Sequence, residues 1–167
     1  AEINPPLKNV PAENAIVGFV PMQAVREQGG LYEVNEAYYR QASSGFTRFQ
    51  DNDVLFAKIT PCMENGKGAH VENLPSGVGC GSTEFFVLRA RPEADSGYVY
   101  QLMQWKRTRL KAEAFMSGSA GQQRVLPVFF QRYEAFAPPK EVQRKIARIL
   151  RTTDQAIEKT EALIDKY

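Results

Sequence analysis

Apolar residues in the first ninety positions gather into three short runs: Ala15-Ile-Val-Gly-Phe-Val20, Asp53-Val-Leu-Phe-Ala-Lys-Ile59 and Thr83-Glu-Phe-Phe-Val-Leu88. Each is too short for a helix, rich in β-branched or aromatic side chains, and bounded by turn formers, so each predicts a buried strand. Pro21, Asp51-Asn52, Thr60-Pro61, the glycines from Gly77 to Gly81 and Pro92 supply the boundaries, Gly29-Gly30 breaks the chain between the first two runs, and the prolines of Ile3 to Pro11 extend its opening. From Tyr98 to Met116 the spacing becomes helical, with Val99, Leu102, Met103 and Leu110 on one side, Ser96 as N-cap and Gly118 as terminator. Val125 to Phe130 is apolar, and Tyr133-Glu-Ala-Phe-Ala137 reads as a last strand stopped by Pro138-Pro139.

Lys140 to Tyr167 holds neither Gly nor Pro in 28 residues and predicts one helix. Ile146, Leu150, Thr153, Ile157, Thr160, Ile164 and Tyr167 recur at alternating steps of 4 and 3, with Val142, Ile149, Ala156 and Leu163 widening the stripe. At ~1.5 Å per residue such a helix is about 42 Å long, more than a small body can cover. It calls for a partner helix, from another chain or from another part of the same protein, the alternative being a helix that folds back onto its own domain, and threonine in the seam argues against a very tight dimer. The division expected is a domain over residues 1–137 and a helical appendage over 138–167.

The 167 residues and 43% hydrophobic content suffice for one core. Net charge is only +2, but its distribution is uneven. Residues 1–97 carry 8 basic against 12 acidic side chains, whereas residues 98–132 carry 6 basic ones against Glu113 alone. That window is where a polyanion would find positive charge, or simply a solvated helix face. In the C-terminal helix five basic groups precede an acidic second half, against the macrodipole, so Arg144, Lys145, Arg148 and Arg151 are expected to face an anion, an acidic subunit or simply solvent. Cys62 and Cys80 are too few for a disulfide scaffold, and no apolar run spans a bilayer, so a cytoplasmic location is expected.

Catalytic chemistry finds little support. His70 is the lone histidine, which excludes a two-histidine zinc motif, and Gly66-Lys67-Gly68 lacks the first glycine of a phosphate loop because Pro61 stands there. Asn4-Pro5-Pro6-Leu7 resembles the Asn-Pro-Pro-aromatic motif of adenine-N6 methyltransferases but ends in Leu and lacks a nucleotide-binding glycine turn, which leaves a coincidence. Met116-Ser-Gly-Ser-Ala-Gly-Gln-Gln-Arg124 is more informative: it sets amides, hydroxyls, carboxamides and a guanidinium on one surface loop. Gln can bond adenine through two hydrogen bonds and Arg can bond guanine in the same way.

Four segments in order, Asp53 to Lys67, Gly81-Ser-Thr-Glu-Phe-Phe-Val-Leu-Arg89, Ser117 to Val125 and the Pro138-Pro-Lys-Glu-Val-Gln-Arg-Lys-Ile146 start of the last helix, resemble the specificity subunit of type I restriction-modification systems. The resemblance covers nearly the whole chain. It implies an α+β fold: a small, twisted, β-rich target recognition domain with packed helices, followed by a long C-terminal spacer helix of coiled-coil type. It also implies a noncatalytic subunit that reads one half of a split site in double-stranded DNA and docks methyltransferase and restriction subunits. S-adenosylmethionine, ATP and Mg would belong to those partners, with no cofactor or metal in this chain. The family's usual subunit has two recognition domains and two antiparallel spacer helices, so one of each here predicts a fragment or a half-size subunit that dimerises. Lys140 and Val142 stand where the family commonly has Leu and Glu, and the chain starts without the family's Trp and Leu-Gly segment.

On this reading the loops Thr60–Gly68 and Ser117–Arg124 enter the major groove. Lys58, Lys67, Arg107 and Lys111 hold phosphates, Asn65, Gln122, Gln123 and Arg124 read bases, and Thr60, Ser117 and Ser119 add hydroxyls and amides, unless the serines and glutamines serve the turn itself. The alternative is a coiled-coil adaptor whose head binds protein.

Overall fold

A computed structural model describes every residue except Ala120, Asp165 and Tyr167. Two four-stranded sheets form its centre. The first, in the order β1-β8-β5-β6, is antiparallel throughout and comprises β1 (Glu2–Ile3), β5 (Asp53–Ala57), β6 (Gly68–His70) and β8 (Phe85–Arg89). The second, in the order β3-β2-β7-β4, comprises β2 (Ile16–Val20), β3 (Asn35–Tyr38), β4 (Thr47–Gln50) and β7 (Val78–Gly81), with β2 and β7 parallel. A hairpin of β9 (Met116–Ser117) and β10 (Arg124–Val125) adds to the open end of β5 through a bridge between Ile59 and Arg124. The helices are α1 (Tyr39–Ala42), α2 (Ser96–Gln104), α3 (Lys106–Glu113), α4 (Val128–Arg132) and α5 (Lys140–Ile164). This is the α+β architecture that the sequence predicts.

Strands β5 and β8 are buried along their whole length, and their side chains alternate between two cores. Leu55, Ala57, Phe85 and Val87 face Val20 and Phe49 of the second sheet and Val25 beyond β2, whereas Val54, Phe56, Phe86 and Leu88 face Val99, Met103, Ala112 and Phe129 of the helices. A strand covered on both faces needs apolar residues at successive positions, which is why these runs stand out in the sequence. β7 does not stand out, because Val78-Gly-Cys-Gly81 reads as a turn. Its glycines are required by proximity: a Cβ on Gly79 would strike the Phe49 ring, and one on Gly81 the Val20 carbonyl.

The predicted helix over Tyr98–Met116 is two helices. Trp105 adopts an extended ψ of 126° between them, and no Gly or Pro marks the break. Arg109, 4% exposed, donates from Nε to the Met103 carbonyl at 2.7 Å and so satisfies an end carbonyl of α2 from the first turn of α3. The change of direction leaves Leu110 exposed rather than on the apolar side. Asp95, not Ser96, caps α2, accepting from the Tyr98 N–H at 3.0 Å. Gly118 lies in the hairpin, beyond the Ala114 cap of α3. Tyr133–Ala137 is not a strand: Tyr133 Oη meets Thr108 Oγ1 at 2.6 Å and Tyr98 Oη donates to the Phe136 carbonyl at 2.8 Å, so the segment follows the helices.

The first turns of α5 pack on α2. Gln143 is buried, accepting from the Asp95 N–H at 3.0 Å and donating to the Pro138 carbonyl at 2.7 Å. Ala147 lies over Gly97, where an added Cβ would come within 3.3 Å of the alanine methyl. Farther along, the contacts are polar: Arg144 with Asp95 at 4.0 Å, Arg151 with Glu72 at 2.8 Å, Gln101 with Asp154 at 2.9 Å and Arg26 with Glu158 at 3.5 Å. Two of the cations that oppose the macrodipole thus meet carboxylates of the body.

Asp53 and Arg89 face each other across β5 and β8 in a buried ion pair, with Nη2 to Oδ2 at 2.7 Å and Nε to Oδ1 at 2.8 Å. Arg89 also donates to the Pro6 carbonyl and Asp53 accepts from the Gln50 N–H. Asp53→Ala leaves a buried guanidinium unpaired and should cost about 3–5 kcal/mol in urea unfolding, whereas Arg144→Ala at the exposed pair should stay within about 1 kcal/mol. Arg109→Met strips the cation that holds the carbonyls of Met63, Gly66 and Lys67. Amide exchange in residues 62–68 should then accelerate by about tenfold or more while β5 and β8 keep their protection.

Candidate nucleic-acid interface

Three segments from distant parts of the sequence meet beyond the end of β5. The Lys58 N–H donates to the Glu84 carbonyl at 2.9 Å, the Val125 N–H to the Lys58 carbonyl at 2.8 Å, and the Thr60 N–H to the Gln123 carbonyl at 3.0 Å. The segments 58–68, 82–84 and the described residues of 117–125 (all but Ala120) are therefore brought together, tied by main-chain bonds. Lys58 is half-buried, its ammonium 5.3 Å from the centre of the Phe86 ring.

The loop Thr60–Gly68 is held from within. Thr60 Oγ1 donates to Glu64 at 2.8 Å, and Asn65 Nδ2 to Glu27 at 3.0 Å. Lys67 Nζ donates to the carbonyls of Val25 and Met22 at 2.9 and 3.3 Å. Arg109 reaches the loop from below, 4.2 Å from the centre of the Phe56 ring, and its Nη atoms donate to Met63, Gly66 and Lys67 carbonyls at 3.2–3.3 Å. Burial pushes the pKa of this guanidinium down to about 10, so it remains a cation at neutral pH.

The hairpin of β9 and β10 is open to solvent. Gly118 and Gly121 adopt left-handed φ of 132° and 81°, and a Cβ on Gly121 would meet nothing within 4 Å. Ser117, Ser119 and Gln122 are exposed and Gln123 half-buried. Arg124, also exposed, lies in a two-point ion pair with Glu84: Nη2 to Oε1 at 2.7 Å and Nε to Oε2 at 2.9 Å. The guanidinium beside it holds the Glu84 carboxyl below the usual carboxylate range. Arg107 and Lys111 are exposed on α3, over Trp105 and Tyr133 respectively. Their contacts run along α3 and toward α4, not into the two loops.

Of the predicted site residues, Lys58, Thr60, Gln122, Gln123 and Arg124 come together on the three-segment surface, flanked by Ser117 and Ser119. Asn65 and Lys67 share the loop but bond inward. Two participants escape the sequence reading. Arg109 sits in the basic window, indistinguishable there from its solvated neighbours. Glu84 lies inside the Gly81-Ser-Thr-Glu segment, but a search for positive charge passes over an acid.

On α5, Ile146 is half-buried, and Leu150, Thr153, Ile157, Thr160 and Ile164 are exposed together with Val142, Ile149 and Leu163. Tyr167 lies outside the described residues. The Thr153 and Thr160 hydroxyls donate to the Ile149 and Ala156 carbonyls at 3.1 and 2.8 Å, which satisfies them within the helix. No helix among the described residues is long and apolar enough to cross a membrane. Asn4, in the methyltransferase-like tetrapeptide, extends the sheet edge: its side chain accepts from the Val87 N–H at 2.9 Å, and its own N–H donates to the Val87 carbonyl at 2.7 Å.

Known proteins resemble this chain in sequence and in fold. The chain is 36% identical over 150 residues to the type I restriction enzyme EcoAI specificity subunit of Escherichia coli, and 35% identical over 148 residues to the EcoEI specificity subunit of the same organism. These alignments cover 87% of this chain and 25% of each relative, so the chain spans a quarter of their length. The fold is shared with the HsdS subunit from Thermoanaerobacter tengcongensis, at a TM-score of 0.69 and 22% identity over 90% of this chain and 39% of that one. A second chain, from work on complex assembly and conformational transition of the type I R-M system, superimposes with a TM-score of 0.63 at 22% identity over the same fractions. The model of the type I restriction modification DNA specificity domain matches residues 7–166, nearly the whole chain, which therefore belongs to that family.

Proposed function

We propose that this domain reads one half of a bipartite sequence in double-stranded DNA and, through α5, joins methyltransferase subunits and then a restriction subunit. The observation that carries the reading is the convergence of residues 58–68, 82–84 and 117–125, three of the segments on which the family resemblance rests, into one surface with an open Gln/Arg hairpin. Gln122, Gln123 and Arg124 are the base readers and Asn65 a marginal one. Lys58, Arg107 and Lys111 hold phosphates, while Thr60, Ser117 and Ser119 present hydroxyls and amides. Lys67 acts first on the loop's shape, because its ammonium is already bonded to two carbonyls. On this reading the chain itself performs no covalent step and carries no cofactor; S-adenosylmethionine, ATP and Mg serve the partners. A protein-binding adaptor finds less support, since the three-segment surface of the head carries an exposed polar hairpin, although large apolar side chains such as Tyr32, Trp105 and Phe136 are exposed elsewhere on the head.

The stripe on α5 supports a second spacer helix as its occupant, from the same specificity subunit or from a dimer mate. By 3.6 residues per turn, the stripe through Ile146, Ile149, Thr153 and Ile157 lies roughly a third of a turn from the Ala147, Arg151, Asp154 and Glu158 line that meets the body. Both partners fit at once.

Three measurements test the reading. Co-expression with the methyltransferase subunit and mapping of N6-methyladenine across random-sequence DNA should give a split motif; methylation without sequence preference would refute the assignment. Arg124→Ala should weaken cognate DNA by about 1–3 kcal/mol and scrambled DNA hardly at all, and affinity for either should fall with salt at a slope near −0.9 per contacted phosphate. The double substitution Ile157→Asp and Leu163→Asp, at exposed positions, should leave the melting temperature of the domain within a few degrees of the parent yet abolish assembly in size-exclusion chromatography. Assembly at parental levels would remove the stripe from the interface.

A further inference from the structure

We infer that Glu84 is a specificity-determining positioning residue: it grips one edge of the Arg124 guanidinium and so dedicates the other edge to a single guanine. The inference rests on the reading of this surface as a DNA-contacting one, and it adds a residue of the opposite charge to the set expected there.

Glu84 is itself firmly placed. Its N–H donates to Ser82 Oγ at 3.2 Å, its carbonyl accepts from the Lys58 N–H at 2.9 Å, and it directly precedes the buried Phe85 of β8. The carboxylate therefore projects from a fixed turn, as a supporting residue must if it is to orient a reader. Arg124 is placed equally well from its own side, by the pairing of β10 with β9 and the bridge to Ile59.

The donors of Arg124 can be followed one by one. A guanidinium has five N–H bonds in a planar fork. Glu84 takes the Nε bond, with Oε1 and Oε2 at 3.1 and 2.9 Å, and one Nη2 bond at 2.7 Å. The Gln122 carbonyl lies 3.4 Å from Nη1. One N–H on Nη1 and one on Nη2 remain, side by side at the end of the fork. Two parallel donors match two adjacent acceptors, and in the major groove only guanine presents such a pair, O6 and N7. Adenine and cytosine each place an amino donor in the way, and thymine offers one acceptor beside a methyl group.

The carboxylate also acts on what Arg124 does elsewhere. A lone arginine on this surface would be drawn to any phosphate, adding affinity without sequence preference. Paired with Glu84 it carries little net charge, so it gains less from phosphate and keeps its directional bonds. Glu84 thereby trades general affinity for discrimination.

Removal of the charge should therefore move two quantities in opposite directions. The test uses this chain assembled with its methyltransferase subunits, in parental, E84Q, E84D and R124A forms, with thermal melting of each to confirm folding. Methylation mapping gives the stringency of each motif position, and binding to cognate and scrambled duplexes gives the specificity ratio. In E84Q, scrambled DNA should bind a few-fold tighter with a salt slope steeper by about one phosphate equivalent. The cognate-to-scrambled ratio should fall about tenfold, and one guanine position should relax. R124A should relax the same position without the gain on scrambled DNA, and E84D, too short to hold both edge nitrogens, should fall between parent and E84Q. Unchanged stringency in a folded E84Q complex, or relaxation at positions other than that of R124A, would overturn the inference while leaving the DNA-reading assignment standing. Loss of sequence preference in the parental complex would overturn both, and is told apart because it needs no substitution.

Discussion

Strands β5 and β8 are apolar on both faces, and this makes their register a quantity that hydrophobicity alone does not set. Where one face of a strand is wet, a slip of one residue exposes the core and is rejected. Here a slip would exchange Val54 and Phe56 for Leu55 and Ala57, one apolar set for another, between two dry cores. The Asp53–Arg89 pair removes that freedom, since a shift would leave a buried carboxylate facing apolar neighbours. A buried ion pair contributes little net stability relative to apolar replacements, so fixing register is the use that fits its place. At the other end of the same ladder, Ala57 faces Phe85, and one residue farther out Lys58 meets Glu84. The alignment of the candidate interface is thus set some four residues away, by a buried charge pair.

Arg109 applies the same logic to the loop. It is a buried cation with no carboxylate partner among the described residues, and its donors go to carbonyls at the end of α2 and in the loop 60–68. Carbonyls that already accept a fixed donor do not rearrange freely, so the loop keeps its shape without a ligand. In energetic terms this is preorganisation: the cost of ordering the loop is met on folding, leaving more of the contact energy for binding.

The sequence made legible whatever its local chemistry dictated. Doubly buried strands declare themselves through unbroken apolar runs, and the C-terminal helix through the spacing of Ile146, Leu150 and Ile157. β7 stayed hidden because its glycines answer to the Phe49 ring and the Val20 carbonyl, neighbours remote in sequence. The break at Trp105 stayed hidden because neither Gly nor Pro marks it, and the Arg109 guanidinium that satisfies the Met103 carbonyl there arrives from the following helix. The candidate site was legible as segments but not as a set of roles. A count of basic residues over 98–132 treats Arg107, Arg109 and Arg124 alike, although one is exposed, one is buried under a loop and one is clamped by an acid. Charge counts locate a surface; only partners tell which cations are free to use it.

The long helix presents two faces that differ in chemistry. Its body-facing line is short, small and polar: Gln143 and Ala147 are buried at its start, and beyond them Arg151, Asp154 and Glu158 make ion pairs or hydrogen bonds at exposed or half-exposed sites. Such contacts are individually weak and screened by salt, so the far half of α5 is guided along the body rather than fused to it. Its other side is an apolar stripe in which the threonine hydroxyls bond backward to their own helix, leaving methyl groups at the seam. This stripe lies roughly a third of a turn from the polar line, so a helix proposed to cover it would not compete with the body for the same face. The hold on the domain is firm at the buried Gln143 and Ala147 and weaker at the polar contacts beyond, so the start of α5 is fixed to the body while its outer half is held only by screened contacts.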